Sequence, residues 1–351
     1  MNSLSNLRRL WIVVVSIVAL LTGCDNEMGQ LGPGEEKFAD NEREVTAEII
    51  EVMKQITVNR SDGDALRRFN QPKSLGCFDA EFHIKEQLDP NLTRGIFAQP
   101  GIYPARIRFA NASKFDDRKK DFRGMSIKVS GLTGEPLWGA PGTQDFVLNS
   151  HPALFAATPE EFLAFTRAME KGRLWSFFIN PYHWGALRVV LEGRRKIQNP
   201  FAIRYWSTTP YRFGTDQSVA VKYSVQPCSV KATDAATEDD ENFLTAAMKR
   251  HLEGQPACFD FMVQFQKSPA DMPIEDASVE WDEQSSPFQK VATIKINNQP
   301  FDSQQSMLAC ERISFNPWQC FQEHQPLGGI NRVRKVIYEE MAQFRNHANA
   351  E

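Results

Sequence analysis

The 351-residue sequence is poor in cysteine, with six residues and no Cys-x-x-Cys spacing, which argues against a zinc site. It lacks a positive excess. Lys and Arg number 40 against 44 Asp and Glu, a formal net charge of -4, so the chain carries no nucleic-acid footprint. It lacks internal repeats and low-complexity blocks. Its marked apolar run, Leu10 to Leu21, is too short to span a bilayer comfortably. What remains is an ordinary globular composition, long enough for one large domain or two small ones.

The amino terminus reads as an export signal. Arg8 and Arg9 precede the apolar run, which ends in Leu21-Thr-Gly-Cys24. That ending looks like a bacterial lipobox. It implies a signal peptide over 1–23, cleavage before Cys24 and lipid on the Cys24 thiol. Asp25 next to it favours the inner membrane, so the expected address is its periplasmic face. Removal of Arg8 and Arg9 leaves a more acidic chain with no basic patch of its own. Five cysteines would remain besides Cys24, an odd number whose pairing stays open; Cys310 and Cys320 are the nearest pair.

Residues 24–60 read as a tether and an N-terminal helix. Val45, Ile49, Ile50, Val52, Met53 and Ile56 set the helix near 43–58. Alternation then predicts strands over Cys77–Ile84, Ile102–Asn111, Met125–Val129 and Asp145–Leu148. Thr158 and Gly172 bracket a helix. Residues 173–200, rich in Trp, Phe and Arg, are helical in part. Strands are expected near 203–213, 219–226, 259–266 and 288–298, with a helix over 243–253 between them and an acidic loop at 234–242. Two strand groups with helices between them suit an α+β domain around an antiparallel barrel.

The last stretch organises the chain. Val333, Val336, Ile337, Met341 and Phe344 recur at helical spacing over 331–345. Arg334 and Tyr338 share one face, and Arg345 lies two turns beyond. Positive charge beside a phenol favours phenolate, and phenolate ligates ferric iron.

Arg334-x-x-x-Tyr338 with Arg345 resembles the proximal haem segment of the haem catalases and their catalase-related cousins, which use a tyrosine ligand. Further matches follow in the family's order: Ile107-Arg-Phe109, Asp121-Phe-Arg-Gly-Met-Ser-Ile-Lys128, Asp145-Phe-Val-Leu-Asn149 and Phe315-Asn-Pro-Trp318. The resemblance covers roughly 65–347. It implies a catalase-like haem domain over 61–351, with haem b between an antiparallel barrel and the C-terminal helix. Tyr338 falls on the iron ligand and Arg334 on its partner. Arg108 and Arg345, with Arg68, fall on propionate arginines. Asn149 falls on the distal asparagine, and Phe155 and Phe162 on pocket aromatics.

One departure stands at the chemical centre. The family's Arg-x-x-His-x-Lys is here Arg68-Phe-Asn-Gln71-Pro-Lys73, so Gln71 takes the place of the distal histidine. Ala110 replaces a serine that usually supports it. His83 is the alternative distal base. A glutamine amide holds ligands by hydrogen bonds but does not titrate. The resemblance therefore implies a haem protein acting on hydrogen peroxide or organic hydroperoxides as peroxidase, weak catalase or hydroperoxide-converting enzyme. The alternative is a non-catalytic haem-binding or sensing lipoprotein. Expected partners are a peroxide or lipid hydroperoxide and the membrane, with no nucleic acid and with oligomerisation left open.

Overall fold

The computed structural model describes residues 31–61, 65–229 and 239–350. Met1–Leu31 and Gly32–Glu351 are separate units, and the fold is that of the second. The signal segment, Cys24 and most of the 234–242 loop lie outside the described residues.

The chain opens with α1 (Glu42–Asn59), then β1 (Lys73–Ile84), β2 (Gly101–Asn111), β3 (Arg123–Val129) and β4 (Gln144–Asn149). Helices α2 (Pro159–Glu170), α3 (Leu174–Ile179) and α4 (Trp184–Gly193) follow. Then come β5 (Tyr205–Trp206), β6 (Tyr211–Arg212), β7 (Ala220–Pro227), α5 (Phe243–Gly254), β8 (Ala257–Phe265) and β9 (Gln289–Ile296). Helices α6 (Gln304–Arg312) and α7 (Gly329–Ala348) end it.

All strand pairings are antiparallel. The order β5-β4-β3-β2-β1-β9-β8-β7, closed by a β5–β7 pairing, makes an eight-stranded barrel, with β6 added beside β7. Sequence alternation becomes the two barrel faces. Phe78, Ile107, Phe109, Met125, Ile127 and Leu148 enter the inner core. The opposite face carries Cys77, Arg108, Ala110, Gly124 and Asn149, in the registers Cys77↔Arg108, Ala110↔Gly124 and Gly124↔Asn149.

Against that outer face lies a second, helical core. Val45, Ile49, Ile50 and Met53 of α1 pack on Leu163 of α2 and on Val333 and Ile337 of α7. Each such side chain contributes about 1.5–3 kcal/mol on full burial. The helix stops expected at α2 are present. Thr158 Oγ1 accepts from Glu161 N, and Gly172 turns the chain at φ 63°.

One expectation is corrected, and two features that the sequence left open are settled. The strand expected near 203–213 is two short pieces, because Thr208 has φ 61° and Pro210 offers no amide. Residues 304–312 form α6, begun by Ser303 Oγ accepting from Ser306 N. Cys310 bonds Cys77 and not Cys320; Cys228 bonds Cys258, and Cys320 is a buried free thiol. Among the described residues no helix is long and apolar enough to cross a membrane.

Candidate functional site

Helix α7 turns Val333 and Ile337 toward α1, which leaves Asn331, Arg334, Tyr338 and Arg345 on a face about a third of a turn round. Arg334 Nη2 donates to the Tyr338 hydroxyl oxygen at 3.0 Å. Arg334 Nη1 donates to Asn331 Oδ1 at 3.0 Å and to Thr209 Oγ1 at 3.3 Å. Burial opposes the charge on Arg334, but the neighbouring Tyr338 and Tyr211 oxygens outweigh it and raise its pKa.

Two turns on, buried Arg345 lies near half-buried Arg68 and buried Arg108, which both pair with one carboxylate, Glu311. Arg108 Nη2 donates to Glu311 Oε1 and to Gln71 O, both at 3.0 Å. Arg68 Nε donates to Glu311 Oε2 at 3.2 Å, and its Nη2 to Ile313 O at 2.7 Å. Burial, with Arg68 adding repulsion, pushes Arg108 down to about 10. Arg345 is likewise pushed down to about 10, by burial first and Arg68 next. Burial alone would raise Glu311, but Arg108 and Arg68 hold its carboxyl below the usual range.

Gln71 lies just before β1 at φ 60°. Its N–H donates to Ala112 O and Asn70 Oδ1. A Cβ on Gly124 would overlap the Gln71 carboxamide, so glycine there makes room for the amide. Paired residues of adjacent strands point to the same side. Ala110, Gly124 and Asn149 therefore present one face, with the Gln71 amide above its middle. Asn149 Oδ1 accepts from Ser150 N at 2.8 Å, leaving its NH2 as the remaining donor.

These contacts close a circuit. Gln71 leads over Gly124 to Asn149, which pairs with Trp206. Thr209, three residues on, touches Arg334 and so Tyr338. Arg345, Arg68, Glu311 and Arg108 return to Gln71. Phe155 and Phe162 stack at 5.9 Å beside it, with Phe162 against the α1–α7 core.

His83 is not brought to this circuit. It sits ten residues along β1 from Lys73, roughly 33 Å away, paired with Glu81 Oε2 at 2.7 Å. The extended strand carries it to the far end of the outer face, so the alternative distal base is corrected to a barrel-surface histidine. Sequence reasoning missed Glu311 and the Cys77–Cys310 staple that holds its helix. Nothing in the local pattern marks either one.

Among the described residues no cluster of His, Cys, Asp and Glu is set to hold a bare metal ion. The donor set suits a carboxylate-bearing group instead. Arg68 and Arg108 share one carboxylate with Arg345 close enough to feel its charge, and Arg108 Nε is buried without a hydrogen-bond partner among the described residues. Two further carboxylates would balance that charge, as haem propionates do.

No family model matches the sequence, and no curated protein matches it. Solved structures do match in fold. A fungal catalase aligns with TM-score 0.64 at 16% identity, covering 82% of this chain and 60% of its own. Catalase A from Saccharomyces cerevisiae gives 0.64 and 16%, covering 82% and 62%. A bacterial catalase gives 0.61 and 18%, covering 92% and 64%. The barrel and its helices thus form a catalase-like fold, and the chain spans less than two thirds of these catalases' length.

Proposed function

We propose that the protein holds haem b between the barrel and α7 and acts on peroxides, organic hydroperoxides above hydrogen peroxide. The observation that carries the reading is one helix face bearing both an Arg334–Tyr338 pair and, at Arg345, a three-arginine cradle. Tyr338 oxygen would ligate the iron, with Arg334 as its donor partner. Arg68, Arg108 and Arg345 would take the propionates. Haem so held supplies the redox chemistry that breaks an O–O bond.

On the opposite wall the Gln71 and Asn149 amides would hold a peroxide by hydrogen bonds. Neither amide titrates, so neither moves a proton between the two oxygens. A histidine doing so typically contributes ~10²–10⁴-fold. Organic hydroperoxides with a better leaving oxygen lose less from its absence. Tethered by lipid at Cys24 to the periplasmic face of the inner membrane, the protein would meet lipid hydroperoxides directly.

The test is titration of haem into the purified protein. Wild type is expected to develop a Soret band with tyrosinate ligation, and Tyr338→Phe to lose or shift it. Arg334→Leu should weaken the iron–oxygen bond. An unchanged spectrum in Tyr338→Phe would overturn the ligand assignment. The second reading, a haem sensor without turnover, is favoured by the glutamine at position 71; turnover of cumene hydroperoxide by the holoprotein decides between the two.

A further inference from the structure

Helices α3 and α4, joined by a tight turn at Pro181–His183, form a hairpin over α2. Its inner side is satisfied. Phe177, Ala186, Val189 and Gly193 are buried, and His183, stacked on Phe177, pairs with Glu161 of α2 at 2.7 Å. Its outer side is not. Trp175, Ile179, Tyr182, Trp184 and Leu191 are 60–75% exposed. A helix apolar on both faces belongs in an interior or at an interface, and large apolar side chains gathered exposed on one hairpin mark a docking surface.

We propose that this hairpin seats on an anionic lipid bilayer, with those five side chains entering the headgroup boundary. Side-chain type supports it. Trp and Tyr have an apolar body and a polar tip, which suits them to that depth. Charge supports it as well. Residues 170–196 carry Lys171, Arg173, Arg188, Arg194, Arg195 and Lys196 against only Glu170 and Glu192, a local excess of four in a chain of formal charge -4. Basic residues are drawn to an anionic surface. A second copy of this chain would instead bring two cationic patches together.

Position agrees. Glu36, near the start of the described chain, accepts from Gly328 N; Gly329 abuts Pro159 of α2, and Glu161 two residues on holds His183 of the hairpin. The segment leading in from the amino terminus and the hairpin turn are therefore linked by a short run of contacts. The proposal does not depend on haem.

The experiment mixes purified full-length protein with vesicles of brominated phosphatidylcholine, with and without phosphatidylglycerol, and reads tryptophan fluorescence. Wild type is compared with the conservative double variant Trp175→Phe/Trp184→Phe. Bromine should quench wild type, and the double variant should lose most of that quenching, since Trp281 and Trp318 are buried and Trp11, Trp138 and Trp206 are common to both. Quenching should deepen with phosphatidylglycerol and weaken in salt. Equal quenching in the two proteins would overturn the proposal. So would loss of self-association in the variant without any bromine quenching, which would assign the patch to contact between copies.

Discussion

Gln71 holds a left-handed backbone, which costs a non-glycine residue about 1–3 kcal/mol. Its N–H is held by Ala112 O and Asn70 Oδ1 and its carbonyl by Arg108, so the surroundings impose the geometry. Histidine is among the residues that tolerate this region. Gln71→His should therefore fold and raise hydrogen peroxide dismutation by roughly 10²-fold or more at equal haem occupancy. A variant that binds haem and gains nothing would sink the assignment of the distal position. Glu311 has the opposite character. It is a carboxylate already seated where propionates would go. Glu311→Gln should cost about 1 kcal/mol of stability, an exposed-pair magnitude, yet tighten haem roughly tenfold, about 1.4 kcal/mol, by leaving the cradle more positive. Its folded pKa is depressed, so its contribution is present above the unfolded value of about 4.3 and is lost as pH falls through the lower folded value. Urea midpoints of wild type and Glu311→Gln should accordingly converge below about pH 4.3. Tyr338, Arg334 and Asn149 were legible because each lies in a short contiguous motif. Glu311 was not, because its partner Arg108 is 203 residues away and no local pattern encodes that meeting.

At the scale of elements, the long strands were legible because one face is buried and the other is not, which writes a period of two into β1 and β2. Helix α6 was not. It is nine residues long, buries only Cys310 along its length, and is held by a covalent bond and not by an apolar stripe. The two disulfides close loops of very different size, with sequence separations of 233 and 30. Chain-entropy arguments give about 5 kcal/mol for the longer and about 3.5 for the shorter. Cys77→Ala/Cys310→Ala should therefore lower Tm more than Cys228→Ala/Cys258→Ala. It should also loosen Glu311 and change haem affinity, which the second pair should leave alone. Equal Tm losses in thermal melts would show that α6 is held by packing and not by its staple.

At the scale of the molecule, the α+β barrel was readable from strand grouping and the final helix, but its closure was not, because β5 is too short to leave a pattern. The acidic overall charge also hid the basic hairpin, since a whole-chain sum cannot show where the cations gather. The proposed export signal and lipid anchor are tested at Cys24. Cys24→Ser should release the protein from the membrane fraction or block its processing, as read by fractionation and intact mass. Unchanged detergent partitioning would remove the lipid anchor from the account, while two or three acyl chains are ample for stable attachment.

The barrel is fastened unevenly. Every long joint is a ladder of several residue pairs, but β4 meets β5 at the single pair Asn149↔Trp206, and β5 meets β7 at two. Local opening begins where the fewest backbone hydrogen bonds must break together. Here that place is a hinge line running through the site. Asn149 stands on one jamb, and the strand leading to Thr209 and Arg334 forms the other. The wall behind the site is therefore expected to yield there first, while the remaining seven joints of the barrel, each a ladder of two or more pairs, stay shut.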